Sequence, residues 1–172
     1  MCRIGSRRRF MLKVGGFAAT AVMANRTSLA HSSQPQMPPE RRSSPLPDEL
    51  VHEWVWRGHF DLDGVTRMLD VHPTLLNATY DWGNGDYEMA IGGAGHMGRR
   101  DIAEFLIKKG ARMDLFVVAM LGKLDIVKAT LTAYPSLISA KGPHGIPLLQ
   151  HAKQGGADAL LVLEYLQSVG TV

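Results

Sequence analysis

The chain predicts an all-α domain, a short stack of about four helix-turn-helix repeats over residues 48–172. Three observations carry that expectation. An aliphatic residue is followed by glycine seven positions later in four places: Val51 and Gly58, Ile91 and Gly98, Leu115 and Gly122, Leu148 and Gly155. Three of these segments are followed by a second amphipathic run, at 63–69, 98–107 and 122–131, with apolar residues at i, i+1, i+4 and i+5. That spacing places them on one helical face. Small residues (Ala90, Gly92, Gly93, Ala94, Ala119) stand where one first helix must lie close to the next.

Each element has a local reason. Pro47-Asp48 reads as a helix start with Asp48 as N-cap, and Asp63, Asp101 and Asp125 stand at the starts of the second helices. Aspartate caps helices because its side chain accepts from otherwise unpaired backbone N–H groups. Gly98 and Gly122 suit tight turns between paired helices, where positive φ is cheap only for glycine. The repeat spacing is irregular: 40, then 24, then 33 residues. The short interval forces a direct turn at 110–114, and two long loops remain, 74–86 and 136–145. Both should project from one edge of the stack. Asn84-Gly85 marks a tight turn at the tip of the first.

The domain resembles the ankyrin repeat. Ile146-Pro147-Leu148-Leu149 keeps the Pro-Leu pair of that family's first helix, and residues 102–111 (IAEFLIKKGA) match its second helix and terminal Gly-Ala. Met89-Ala90-Ile91-Gly92 and Met113-Asp114-Leu115-Phe116 keep only the aliphatic residue. The resemblance covers residues 48–172 and implies a binding module, with a protein as ligand and no catalysis of its own.

The N-terminus reads as an address. Residues 1–30 carry six basic groups and no acidic one, and an uncharged stretch of about 11 residues from Val14 to Ala24 is too short to span a bilayer. Ser6-Arg7-Arg8-Arg9-Phe10-Met11-Leu12-Lys13 resembles a twin-arginine export signal. That implies a bacterial protein exported to the periplasm, with cleavage after Ala24 or Ala30 and no stable membrane insertion afterwards. An ordinary secretory signal, or a short uncleaved membrane anchor, is the alternative reading. Residues 31–47 hold five of the nine prolines and read as a disordered tether.

Charge excludes one class. The pI is about 9.2, yet residues 31–172 hold 13 basic and 16 acidic groups, a formal charge of −3. The basic character belongs to the N-terminus, so nucleic acid is not an expected partner. The single cysteine, Cys2, leaves the mature chain without a thiolate nucleophile or ligand.

Seven histidines (31, 52, 59, 72, 96, 144, 151) show no His-x-x-x-His pairing on a helix. They read as structural or solvated, so no catalytic residue, metal ligand or cofactor is assigned. Residues 81–86 (DWGNGD) lack the alternate oxygen ligands of a calcium loop. There is no phosphate loop, nucleophile elbow or dinucleotide fingerprint. The contact residues expected for a protein partner are Trp56, Asp81, Trp82, Asp86, Tyr87, Lys141 and His144, on the first helix and the two loop tips, in a monomer. A small metal- or His/Asp-dependent envelope enzyme is the competing expectation.

Overall fold

The computed structural model describes residues 44–170. The segment expected to be an export signal, Cys2, His31 and the expected tether up to residue 43 lie outside the described residues. Among the described residues the protein is mostly helical. Its elements are α1 (Asp48–Gly58), α2 (Leu62–Val71), α3 (Ala90–His96), α4 (Arg100–Lys108), α5 (Leu115–Met120), α6 (Leu124–Ala133), α7 (Leu148–Gln154) and α8 (Leu160–Val169). One antiparallel hairpin, β1 (Thr79–Asp81) with β2 (Tyr87–Met89), interrupts the series before α3. None of these helices is long and apolar enough to cross a membrane.

The helices pack as sequential pairs, α1 with α2, α3 with α4, α5 with α6 and α7 with α8. The first members also pack in order, α1 on α3, α3 on α5 and α5 on α7. The reason is in the sequence. In α1, Val51, Trp54, Val55 and Gly58 are buried, the i, i+3, i+4, i+7 face of a helix. In α4 the buried residues are Ile102, Ala103 and Leu106. Two apolar clusters result. α5 joins them, giving Val117 and Met120, with Leu121 just after it, to the first and Val118 and Ala119 to the second. Gly58 lets α1 approach α3, because a Cβ there would lie 2.5 Å from the carbonyl oxygen of Ala90.

The capping expectations need correction. Asp48 is the first residue of α1, not its cap; the backbone carbonyl of Pro47 accepts from Leu50 and Val51 instead. Asp63, Asp101 and Asp125 are each the second residue of their helices. There a carboxylate is favoured by the positive end of the helix dipole. The aspartates that do cap are Asp61, accepting from Gly64 N at 2.8 Å, and Asp114, accepting from Val117 N at 2.9 Å.

Gly122 closes the α5–α6 turn at φ +70°, and a Cβ there would run into the carbonyl of Asp158. Gly110 has φ +95° but open space around it. Left-handed backbone costs a non-glycine residue about 1–2 kcal/mol. Gly110→Ala should lose roughly that amount, and Gly122→Ala clearly more, because it adds the collision. Denaturant midpoints of the two variants check the order.

Candidate functional site

The two long loops are fingers, and they meet. The first is the β1–β2 hairpin. Its turn has Asn84 at φ 57° and Gly85 at φ 81°, with Asp86 N donating to Gly83 O at 3.1 Å. This is the twisted two-residue turn that Asn-Gly signals. Tyr80 pairs with Glu88 across the hairpin. The second finger closes through Gly142 N donating to Ile146 O at 2.9 Å. At its tip His144 has φ 58°, a left-handed conformation that costs a non-glycine residue about 1–3 kcal/mol. Two hydrogen bonds offset that cost: His144 N and Nδ1 each donate to the carboxylate of Asp86, both at 2.8 Å. These bonds lower the pKa of Asp86, the backbone N–H contributing most.

Behind this link lies Glu88, only 1% exposed. Its inward position on β2 brings it against three imidazoles. His96 Nε2 lies 2.9 Å from Oε1, and His59 Nε2 and His144 Nε2 each lie 3.3 Å from Oε2. His59 Nε2 and His96 Nε2 are 3.1 Å apart. Trp82 Nε1 donates to Glu88 Oε2 at 2.9 Å. One donor atom from each of His59, Glu88, His96 and His144 falls within 4.8 Å of all the others.

The sequence holds these groups in place. His59 follows the last residue of α1, and its Nδ1 donates to the carbonyls of Val55 at 2.9 Å and Trp56 at 3.1 Å. Its ring lies against the backbone of α3 at Gly93, where a Cβ would come within 2.7 Å of it. At Gly95 a Cβ would stand 3.1 Å from Val117, a tighter contact than usual, whereas at Gly92 it would be in ordinary contact with Glu88 and Pro143. Gly93 and Gly95 are therefore explained by what presses on α3. His96 ends that helix, with its side chain 8% exposed.

The electrostatics follow. Burial opposes ionisation of Glu88, but the bonds from His59 and His96 outweigh it and hold its pKa near 2. Burial likewise disfavours a charged His59, and Glu88 outweighs it, leaving that pKa raised. The carboxylate is thus ionised at neutral pH and surrounded by groups able to neutralise it.

Of the residues expected from sequence, Trp82, Asp86 and His144 converge on Glu88. Trp56 is half-exposed on α1 and stands 6.5 Å, ring to ring, from Trp82. Asp81 does not join them; its side chain accepts from Gly83 N at 2.9 Å and serves the turn. Tyr87 and Lys141 line a groove of about 410 Å³ between the fingers, together with Asp86, Asp114 and Phe116. The residues missed were His59, Glu88 and His96. His52, seven residues before His59, packs on Tyr80 and Trp82 instead. His151 is buried, its Nδ1 donating to Pro147 O at 3.1 Å, and burial lowers its pKa.

No protein-family model matches the chain, and neither a curated protein nor a solved structure shows significant similarity to it. What the site does must therefore be argued from its own groups.

Proposed function

We propose that this is an ankyrin-type solenoid, exported from the cytoplasm, that acts by binding a protein partner at the junction of its two fingers. Support for the repeat assignment comes from the sequential helix pairs, the ordered packing of their first members, and the fingers between successive pairs. The observation that carries the functional reading is the link between Asp86 and His144, 58 residues apart in sequence. It fixes two loop tips as one surface, and loop residues held rigidly by a scaffold are where binding function concentrates.

Apolar groups stand beside that surface. Trp56 is 50% exposed, Phe60 48% and Tyr87 62%. Trp56 and Phe60 stack edge to face at 5.5 Å. Half-exposed aromatics next to a rigid polar surface are the usual anchors of an interface. Trp82 is not one of them, because its N–H is committed to Glu88 and its ring packs on the core.

Changing Trp56 and Phe60 together to alanine tests this reading. Each truncation of such an anchor costs about 2 kcal/mol of binding or more, roughly thirtyfold. The double variant should retain its helical circular dichroism and lose capture of the partner from envelope extract. Undiminished capture would remove this surface from consideration.

A further inference from the structure

We infer that His59, Glu88, His96 and His144 form a binding site for one divalent transition-metal ion of the zinc class. The inference takes the finger junction as the working site, as above, but needs no partner.

The first argument concerns protons. The Val55 oxygen is a carbonyl and can only accept, so His59 carries its hydrogen on Nδ1. The Asp86 carboxylate accepts the backbone N–H of His144 at the same time, so it stands as the acceptor and His144 carries its hydrogen on Nδ1 as well. In the neutral rings both Nε2 atoms then hold a lone pair. Those lone pairs face the Glu88 oxygen at 3.3 Å each, and His59 Nε2 also faces His96 Nε2 at 3.1 Å. Acceptors gathered around a buried carboxylate require positive charge between them. Protons answer this one ring at a time, whereas one dication answers all four groups together.

Distance is the second argument. Zinc binds imidazole nitrogen and carboxylate oxygen at about 2.0–2.2 Å, so neighbouring donors around a tetrahedral ion stand about 3.3–3.6 Å apart. The shortest contacts here are 2.9 Å to Glu88 Oε1, 3.1 Å between His59 and His96, and 3.3 Å twice to Glu88 Oε2, and the whole set of one donor atom per residue lies within 4.8 Å. An ion would draw the wider pairs together and move the closest ones slightly apart.

Support for the donors is the third. Metal-binding histidines donate their other N–H to a carboxylate or carbonyl, which fixes ring orientation. His144 does so to Asp86 and His59 to Val55, while Trp82 holds the carboxylate. Three imidazoles and one carboxylate suit zinc, copper, iron or nickel and disfavour calcium and magnesium. Four protein donors complete a tetrahedron and leave no open position, the arrangement of a structural ion. His144 alone comes from the second finger, so the ion would staple that finger to the first half of the domain.

The test uses the full-length chain, stripped with chelator and then titrated with Co²⁺ and Zn²⁺. One equivalent of Co²⁺ should give the intense visible absorption of a tetrahedral site, displaced by one equivalent of Zn²⁺ at sub-micromolar affinity. His144→Ala removes a donor from a partly exposed finger, leaves the core intact, and should weaken binding at least a hundredfold with unchanged circular dichroism. Asp86→Asn should weaken it tenfold to a hundredfold through loss of ring orientation. His72→Ala, away from the cluster, should change nothing. Absence of a tetrahedral Co²⁺ spectrum, or equal affinity in His144→Ala, overturns the assignment. No partner is present in these titrations, so failure here and failure of the Trp56/Phe60 experiment are separate results.

Discussion

Glu88→Ala is expected to destabilise the chelator-treated protein by about 3–5 kcal/mol, the usual cost of breaking a buried ion pair from one side. Three side chains lose their partner at once. The Trp82 N–H is left without its acceptor, and the inward nitrogens of His59 and His96 lose the carboxylate that compensates their burial. An orphaned buried donor alone costs about 1–3 kcal/mol. Glu88→Gln separates the contributions. Its amide oxygen can still accept from Trp82, and its NH₂ can donate to the lone pair of a neutral imidazole. It should therefore recover most of the stability in metal-free protein. It should not recover metal affinity, since the anionic donor is gone. Urea unfolding with chelator present, set beside Zn²⁺ titration of the same variants, reads both quantities. If Glu88→Gln were as unstable as Glu88→Ala, charge and not hydrogen bonding would hold the cluster.

The helices were legible in the sequence because burial imposes a period on them. Val51, Trp54, Val55 and Gly58 of α1, or Ile102, Ala103 and Leu106 of α4, repeat at helical spacing whatever they pack against. The hairpin tip was legible too, since Asn84-Gly85 has a backbone requirement of its own. Caps were misread by one or two residues, because Asp61 and Asp63 are chemically alike and only geometry distinguishes the one that bonds to Gly64. The cluster was not legible for a different reason. His59 and His96 are 37 residues apart, and His144 lies 58 beyond Asp86. No helical spacing relates them; they meet because α1 packs on α3 and one finger reaches the other. Glu88 sits on a three-residue strand, too short for alternation to reveal that it points inward. One local signal was available. Gly93 and Gly95, in a helix that gains nothing from glycine itself, report that side chains press on its backbone.

Trp54→Ala should be the most damaging single truncation in the first helix pair, costing about 3–5 kcal/mol, as large aromatic deletions in cores do. Trp54 is fully buried, the largest such side chain described, and belongs to the cluster that joins α1, α2, α3 and α4. Because α1 and α2 open the described series of pairs, losing this anchor should loosen that pair before the others. His59 leaves with it, so Zn²⁺ affinity should fall together with stability, although Trp54 is not among the four donors. Trp54→Phe gives the sharper result. The indole N–H of Trp54 has no partner among the described residues. Burying such a donor costs about 1–3 kcal/mol. Phenylalanine removes that penalty while keeping most of the apolar volume, so it should stay within about 1.5 kcal/mol of the parent. Guanidinium midpoints for the parent and both variants decide it. A Trp54→Phe protein as weak as Trp54→Ala would mean that the indole, and not its bulk, is what the first pair of helices depends on.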